Sequence, residues 1–240
     1  MSLRPIDYQA DGVWLKGYLA DGSKGSSVPG ILVAHESLGV TEHVKGRTLA
    51  LAEEGYVAFA LDLFGAHDLD LEEARRQTSL VVTTPGLMYA RASAALAALA
   101  SQANVDSARL AAIGFCLGGA TVLELARHGA PIKCAIGFHP GLKRPAGSPD
   151  GPITAKILMM IGDADPIVPQ EDRAAFAQSM NASGADWELH VFGRVGHSYT
   201  NPGVDAYGLP GFAYDARAAR RSWQMTLALL SEQLDHHSTV

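Results

Sequence analysis

The chain reads as an α/β protein: a doubly wound, mostly parallel sheet with an N-terminal antiparallel hairpin and helices on both faces. Three observations predict this. Short unbroken apolar runs, such as Gly30-Ile31-Leu32-Val33-Ala34, have the signature of strands buried on both faces. Segments with helical spacing alternate with these runs, the pattern of strand–helix–strand units in a parallel sheet. One run leads directly into Gly114-Phe115-Cys116-Leu117-Gly118-Gly119, a glycine-flanked junction between a strand and a helix.

Residues 6–10 and 13–19 flank Asp11-Gly12, a two-residue turn signal, and form the hairpin. A polar Gly/Ser loop, 21–27, leads to the first buried strand, 30–34. A helix over 42–54 stops at Gly55, and 56–61 is the second buried strand. Helices are expected over 71–81 and 87–103, separated by Thr84-Pro85-Gly86. The third buried strand, 110–113, enters the helix that follows the thiol. Strands at 132–138, 156–161 and 187–192 follow, with a helix at 170–182 between the last two, and 213–234 closes the chain as a long helix. Right-handed crossovers turn this order into a doubly wound sheet, whose reactive residues gather at the carboxyl ends of the strands. The Gly- and Pro-rich stretch 140–152 reads as a surface loop near that edge, and 63–85 as a candidate lid. Nothing divides the 240 residues, so one domain over 1–240 is expected.

Composition narrows the function. With 48% hydrophobic and 18% charged residues the chain can bury a large core, which excludes a disordered protein. A formal charge of −6 with no basic stripe excludes an electrostatic footprint for nucleic acid. Arg75-Arg76 and the arginines of 217–221 lie in helical patterns and read as solvated faces. No apolar run reaches membrane-spanning length, and residues 1–8 carry no secretory apolar core. With only Cys116 and Cys134, neither a disulfide framework nor a C-x-x-C metal site is available. A free thiol at a reactive position fits a reducing compartment, so a cytoplasmic location is expected.

The junction at Cys116 follows the nucleophile elbow G-x-S-x-G with Cys in place of Ser. Its flanking positions must be Gly, because a Cβ there would strike the strand or the helix. The helix N-terminus directs N–H groups and positive potential at the sulfur, which favours thiolate and can stabilise an oxyanion. Such a nucleophile needs a base and a group that orients the base. In α/β-hydrolases these follow in the order nucleophile, acid, His. Past the strand at 156–161 stand two carboxylates, Asp163 and Asp165. Past the next strand stands His197, in Val195-Gly196-His197-Ser198-Tyr199. Each alone has a dull alternative, a turn Asp or an exposed loop His. Together, in order, and each after a strand, they point to hydrolysis through a Cys-His-Asp triad.

The sequence resembles the dienelactone hydrolases (carboxymethylenebutenolidases), nearly end to end. The resemblance rests on the elbow and on His35-Glu36-Ser37-Leu38-Gly39. It rests also on Leu51-Ala52-Glu53-Glu54-Gly55-Tyr56 and on Gly162, Asp165, Val168 and Pro169 of G-x-x-D-x-x-V-P. It extends to Tyr199-Thr200-Asn201-Pro202 and Arg220-Arg221-Ser222-Trp223-Gln224, which look like a bacterial subgroup. The resemblance implies Asp165 as triad acid and His197 as base. It implies Glu36 beside the thiol, taking part in its activation, with the N–H groups of Leu117 and Ser37 forming the oxyanion hole. It implies small esters or lactones as substrates, without metal or cofactor, and a monomer or weak dimer. Members specific for dienelactone carry an Arg four residues past the catalytic His; here that position is Asn201. Arg75, Arg76 and Arg91 compete for a second substrate-binding arginine. His139, Tyr199 and Asn201 are candidate pocket residues, whereas Trp223 reads as core, and His236 and His237 as part of a polar tail. Three other readings stay open: a thioesterase with the same triad, a non-catalytic binding protein on a hydrolase fold, and a redox sensor built on Cys116 and Cys134.

Overall fold

Strand β1 (Arg4–Ala10) and strand β2 (Val13–Asp21) pair antiparallel around Asp11 and Gly12 in the computed structural model. Both turn residues have positive φ, 51° and 73°, the twist a two-residue hairpin requires. The structure describes residues 1–149 and 151–235, so His236 and His237 lie outside the described residues. The remaining strands are β3 (Val28–Ala34), β4 (Val57–Ala60), β5 (Val105–Phe115), β6 (Cys134–Phe138), β7 (Lys156–Gly162) and β8 (Trp187–Phe192). They form one eight-stranded sheet in the order β1-β2-β4-β3-β5-β6-β7-β8. Among the described residues only the β1–β2 and β2–β4 pairs are antiparallel.

Helices α1 (Glu42–Glu53), α2 (Leu71–Thr83), α3 (Leu87–Ala100), α4 (Leu117–Arg127), α5 (Gln170–Ser183) and α6 (Ala216–Leu234) cover the two faces. Alternation along the central strands assigns the faces. Leu32, Leu110, Ala112, Ile157 and Met159 pack in one cluster with residues of α3, α4 and α5. Ile31, Val33, Ala111, Ile113, Leu158 and Met160 pack in another with residues of α1 and α6. A strand covered on both sides needs apolar residues at every position, hence the unbroken runs. Among the described residues no helix is long and apolar enough to cross a membrane.

The structure corrects the boundaries in two instructive places. Strand β5 begins at Val105, five residues before the apolar run, because Val105 pairs with Val28 before a register shift between Pro29 and Gly30. Its polar stretch through Arg109 hides a strand that is held by backbone pairing. Helix α6 begins at Ala216, capped by the Asp215 carboxylate, which accepts from Ala218 N–H at 2.8 Å. The residues before it pair with the loop that carries His197. His197 N–H donates to Gly211 O at 2.8 Å, and Ala213 N–H to His197 O at 3.2 Å.

The loop at 140–152 starts against the elbow helix, where a Cβ on Gly119 would stand 2.5 Å from Pro140 Cβ, but none of its described residues lines the cavity at Cys116. Further along it meets the later turns of α4, where the Ser148 hydroxyl donates to the buried Glu124 carboxylate at 2.6 Å. A buried carboxylate demands such donors, and Leu142 and Ile153 anchor the loop's flanks in the core.

Candidate active site

Strand β5 ends at Phe115 and α4 begins at Leu117, so Cys116 is the single residue of the turn. Its backbone is strained, with φ 52° and ψ −111°. The flanking glycines explain how it is tolerated. A Cβ on Gly114 would stand 2.0 Å from Gly118 O, and one on Gly118 would stand 2.1 Å from Ala34 O. Cys116 N–H donates to Phe138 O at 3.0 Å, fixing the turn to β6. The thiol-bearing residue itself is only partly buried. Leu117 and Gly118 are the first two helical residues, whose N–H groups have no intrahelical acceptor.

Two further loops meet at the same edge. A Cβ on Gly162 would lie 2.1 Å from Val195 O, so the ends of β7 and β8 run backbone against backbone. There His197 Nδ1 donates to Asp165 Oδ2 at 2.7 Å, with both side chains fully buried. The second Asp165 oxygen accepts from Ile167 N–H at 2.8 Å. Asp163 points outward, 60% exposed, and pairs with Arg173 at 2.9 Å. The histidine thus meets Asp165 and not its neighbour.

The far ring nitrogen, Nε2, is buried without a hydrogen-bond partner among the described residues. Burial pulls the imidazole down, but the charge of Cys116 and the hydrogen bond and charge of Asp165 outweigh it and hold the pKa at about 10. With Nε2 unbonded, the influence of Cys116 is mainly that of its charge. The ring is thus favoured as imidazolium at neutral pH. Acylation that uses this imidazolium as acid is expected to fail above about pH 10, seen as a basic limb in kcat/KM there. An ester-hydrolysis profile whose basic limb lies near pH 6.5 would contradict the pairing. The sign for stability follows. The ring's pKa is raised on folding, so its contribution is complete below about 6.5 and is lost as pH rises through about 10.

Glu36 and Ser37 follow β3 and line a cavity of about 290 Å³ together with Cys116, Arg75, Asn201 and Phe212. His35, just before them, clamps their loop. Its Nδ1 donates to Glu36 O at 2.6 Å, and its Nε2 accepts from Leu63 N–H at 3.0 Å. Burial holds this ring below its ordinary pKa and thus neutral, as an acceptor Nε2 requires. Asn201 lines the cavity with its amide engaged: Nδ2 donates to Glu36 Oε2 at 3.0 Å, and Oδ1 accepts from Gly203 N–H at 2.9 Å.

His139 and Tyr199 do not reach the cavity. His139, at φ 40°, is fully buried, meets the Thr200 hydroxyl at 2.9 Å and packs edge-on against His197 at 5.0 Å. Tyr199 is fully buried between His139 and Phe192. Of the three arginines, Arg91 is buried and donates to Leu63 O, Arg76 pairs with Glu73 at 2.6 Å, and Arg75 lines the cavity. Trp223 stacks against Phe138 in the core. Sequence reasoning missed His43, whose ring lies between Glu36 and Phe115. A lone His in the first turn of an amphipathic helix carries no signal of that contact. Leu38 and residues of α2, within the 63–85 segment, complete the cavity wall.

A mostly parallel sheet with a strained thiol elbow and a buried Asp–His pair at its carboxyl edge defines an α/β-hydrolase. Within that class, the model of the dienelactone hydrolase family matches residues 15–234, and the chain belongs to this family. It is an ester or lactone hydrolase. It is similar to a "Probable 2-oxo-3-(5-oxofuran-2-ylidene)propanoate lactonase" of Bradyrhizobium sp, 28% identical over 98% of this chain and 96% of that one. An uncharacterized protein of Caenorhabditis elegans is 36% identical over 149 residues, 61% of this chain and 94% of its own. Among solved structures, a dienelactone hydrolase-like promiscuous phosphotriesterase from metagenomic libraries superposes with a TM-score of 0.92. It is 36% identical and covers 97% of this chain and 98% of its own.

Proposed function

We propose that this chain is a cysteine-dependent hydrolase of small esters or lactones, working through a Cys116-His197-Asp165 triad and a thioester acyl-enzyme. The observation that carries the reading is the 2.7 Å bond from His197 Nδ1 to Asp165, which leaves Nε2 uncommitted beside the strained thiol. The Cys116 thiolate attacks the substrate carbonyl carbon, and the carbonyl electron pair moves onto its oxygen. The N–H groups of Leu117 and Ser37 receive that oxyanion. Collapse breaks the ester C–O bond, and His197 gives its Nε2 proton to the leaving alkoxide. The neutral ring then takes a proton from water, the hydroxide attacks the thioester, and the thiolate leaves. Asp165 holds the tautomer and stabilises the cation throughout. Glu36 shares the cavity and can hold the thiol proton in the resting state.

The cavity limits the substrate. At about 290 Å³ it lies at the lower end of small-molecule sites, which fits a compact acyl group. Arg75 is a cation in its wall with no ion-pair partner among the described residues, and it suits a substrate carboxylate. Asn201 is already committed to Glu36 and leaves that task to Arg75. The two free thiols suit the cytoplasm, and Cys134 is unsuited to redox sensing, since burial pushes its thiol up to about 12.

The test is a rapid-quench reaction with a short-chain aryl ester. A stoichiometric burst of the aryl alcohol, and the acyl mass on the Cys116 peptide, are the expected result. Steady turnover with no acyl group on Cys116 would refute the covalent route. Running an acyl thioester beside the ester separates a thioesterase from an esterase.

A further inference from the structure

Glu36 is gripped by one of its oxygens. Oε2 accepts from Asn201 Nδ2 at 3.0 Å and from His43 Nδ1 at 3.2 Å. Oε1 is buried and has no hydrogen-bond partner among the described residues. The carboxylate has little water to turn to, because its side chain is 8% exposed and that of His43 is 7% exposed. His43 belongs to the first turn of α1 and sets its ring edge-on to Phe115, with centroids 4.9 Å apart. Phe115 directly precedes the nucleophile, so the ring that holds Glu36 also rests on the elbow.

We propose that His43 is a positioning residue for Glu36. It pins Oε2, together with Asn201, so that Oε1 is the oxygen presented to the thiol. The inference rests on the reading above that Glu36 serves the Cys116 thiol. A carboxylate held at one oxygen loses its rotational freedom, and the other oxygen keeps its lone pairs for the incoming proton. The choice of donors matters for that task. Neither His nor Asn carries a permanent charge, whereas a buried Arg would favour the ionised carboxylate and weaken its hold on a proton. The bond also fixes the form of His43. Facing a carboxylate, Nδ1 must carry a proton.

The readout is the rate at which iodoacetamide alkylates Cys116, followed on the Cys116 peptide, alongside kcat and KM for an aryl ester. His43→Phe keeps the packing on Phe115 and removes the donor. It is expected to slow alkylation and kcat by about tenfold, the effect of one lost hydrogen bond to a charged group, with KM nearly unchanged. His43→Asn, which returns a donor near the place of Nδ1, restores most of the rate. In a Glu36→Gln background the His43→Phe change is expected to have no further effect, because its route to the thiol is gone. Wild-type alkylation in His43→Phe would overturn the proposal. So would an equal loss in both backgrounds, which would mean that His43 acts through Phe115 alone. Should His43→Phe fail to fold, Asn201→Ala releases the same oxygen and is expected to slow alkylation likewise. Alkylation needs no ester turnover. Coupling of His43 and Glu36 without hydrolysis would therefore uphold the positioning and refute the hydrolytic role of the thiol.

Discussion

Cys116→Ala is expected to abolish hydrolysis of a short-chain aryl ester, by about 10⁴-fold or more, with the fold unchanged. In the proposed mechanism the loss is large because the thiolate makes the bond that every later step depends on. The N–H groups of α4 and the Asp165–His197 pair remain, but they have no tetrahedral intermediate to stabilise. The fold survives because Ala meets the same backbone strain at φ 52° that Cys does, and the residue is only partly buried. Parallel initial rates and thermal melts of the two proteins decide the matter. Equal turnover would remove Cys116 from the mechanism, whereas loss of activity with an unchanged melt would place it at the chemistry. The basic limb of the wild-type profile offers a companion check. Without the charge of Cys116, the largest influence raising His197, the ring should titrate well below about 10.

Gly118→Ala should give a large loss of stability for the addition of a single methyl group. The new Cβ would stand 2.1 Å from Ala34 O, 2.4 Å from Ala34 C and 2.8 Å from His35 O, all of them backbone. No rotamer change can relieve this. Strand β3 would have to move, and it is paired on both sides, to β4 and to β5. We expect a loss of over about 3 kcal/mol, or a fall in Tm of roughly 10 °C for a chain of this size. Activity should be lost even below the melt, because moving Ala34 and His35 away from α4 displaces Glu36 and Ser37 from Cys116. Gly46→Ala is the control. Gly46 sits in helix α1, is exposed, and has open space where a Cβ would go. The same methyl there should stabilise by about 0.5–1 kcal/mol through helix propensity. A melt of Gly118→Ala within a degree of wild type would show that the strand–helix contact is slack.

Much of this molecule is legible in one dimension, for reasons that are local. Asp11-Gly12 names its turn because few residue pairs accept positive φ twice. The runs at β3, β4 and β5 name a doubly covered sheet because both of their faces must be apolar. Gly114 and Gly118 name the elbow because both neighbours of the thiol abut backbone. Features held by long-range pairing are less visible. The polar first half of β5 exists because Val28 pairs with Val105, and α6 starts late because the residues before it pair with the loop of His197.

Within the candidate site the same division holds. The order of Cys116, the acid and His197 along the chain follows from topology, since each stands where a parallel strand ends. Sequence spacing alone could not say which of Asp163 and Asp165 turns inward. The packing of Gly162 against Val195 aims one carboxylate at the imidazole and leaves the other to Arg173 in solvent. His139 and Tyr199 look like pocket residues by position and are core by burial, because the chain reverses after the strand and folds their rings beneath His197. Arg75 faces the cavity and Arg91 does not, since α2 forms its wall whereas Arg91, on α3, is turned to Leu63. The chemistry was written into residue types and their order. Which atom of each is left free depends on contacts between segments far apart in the chain, such as Glu36 with His43 and Asn201, and no local pattern encodes these.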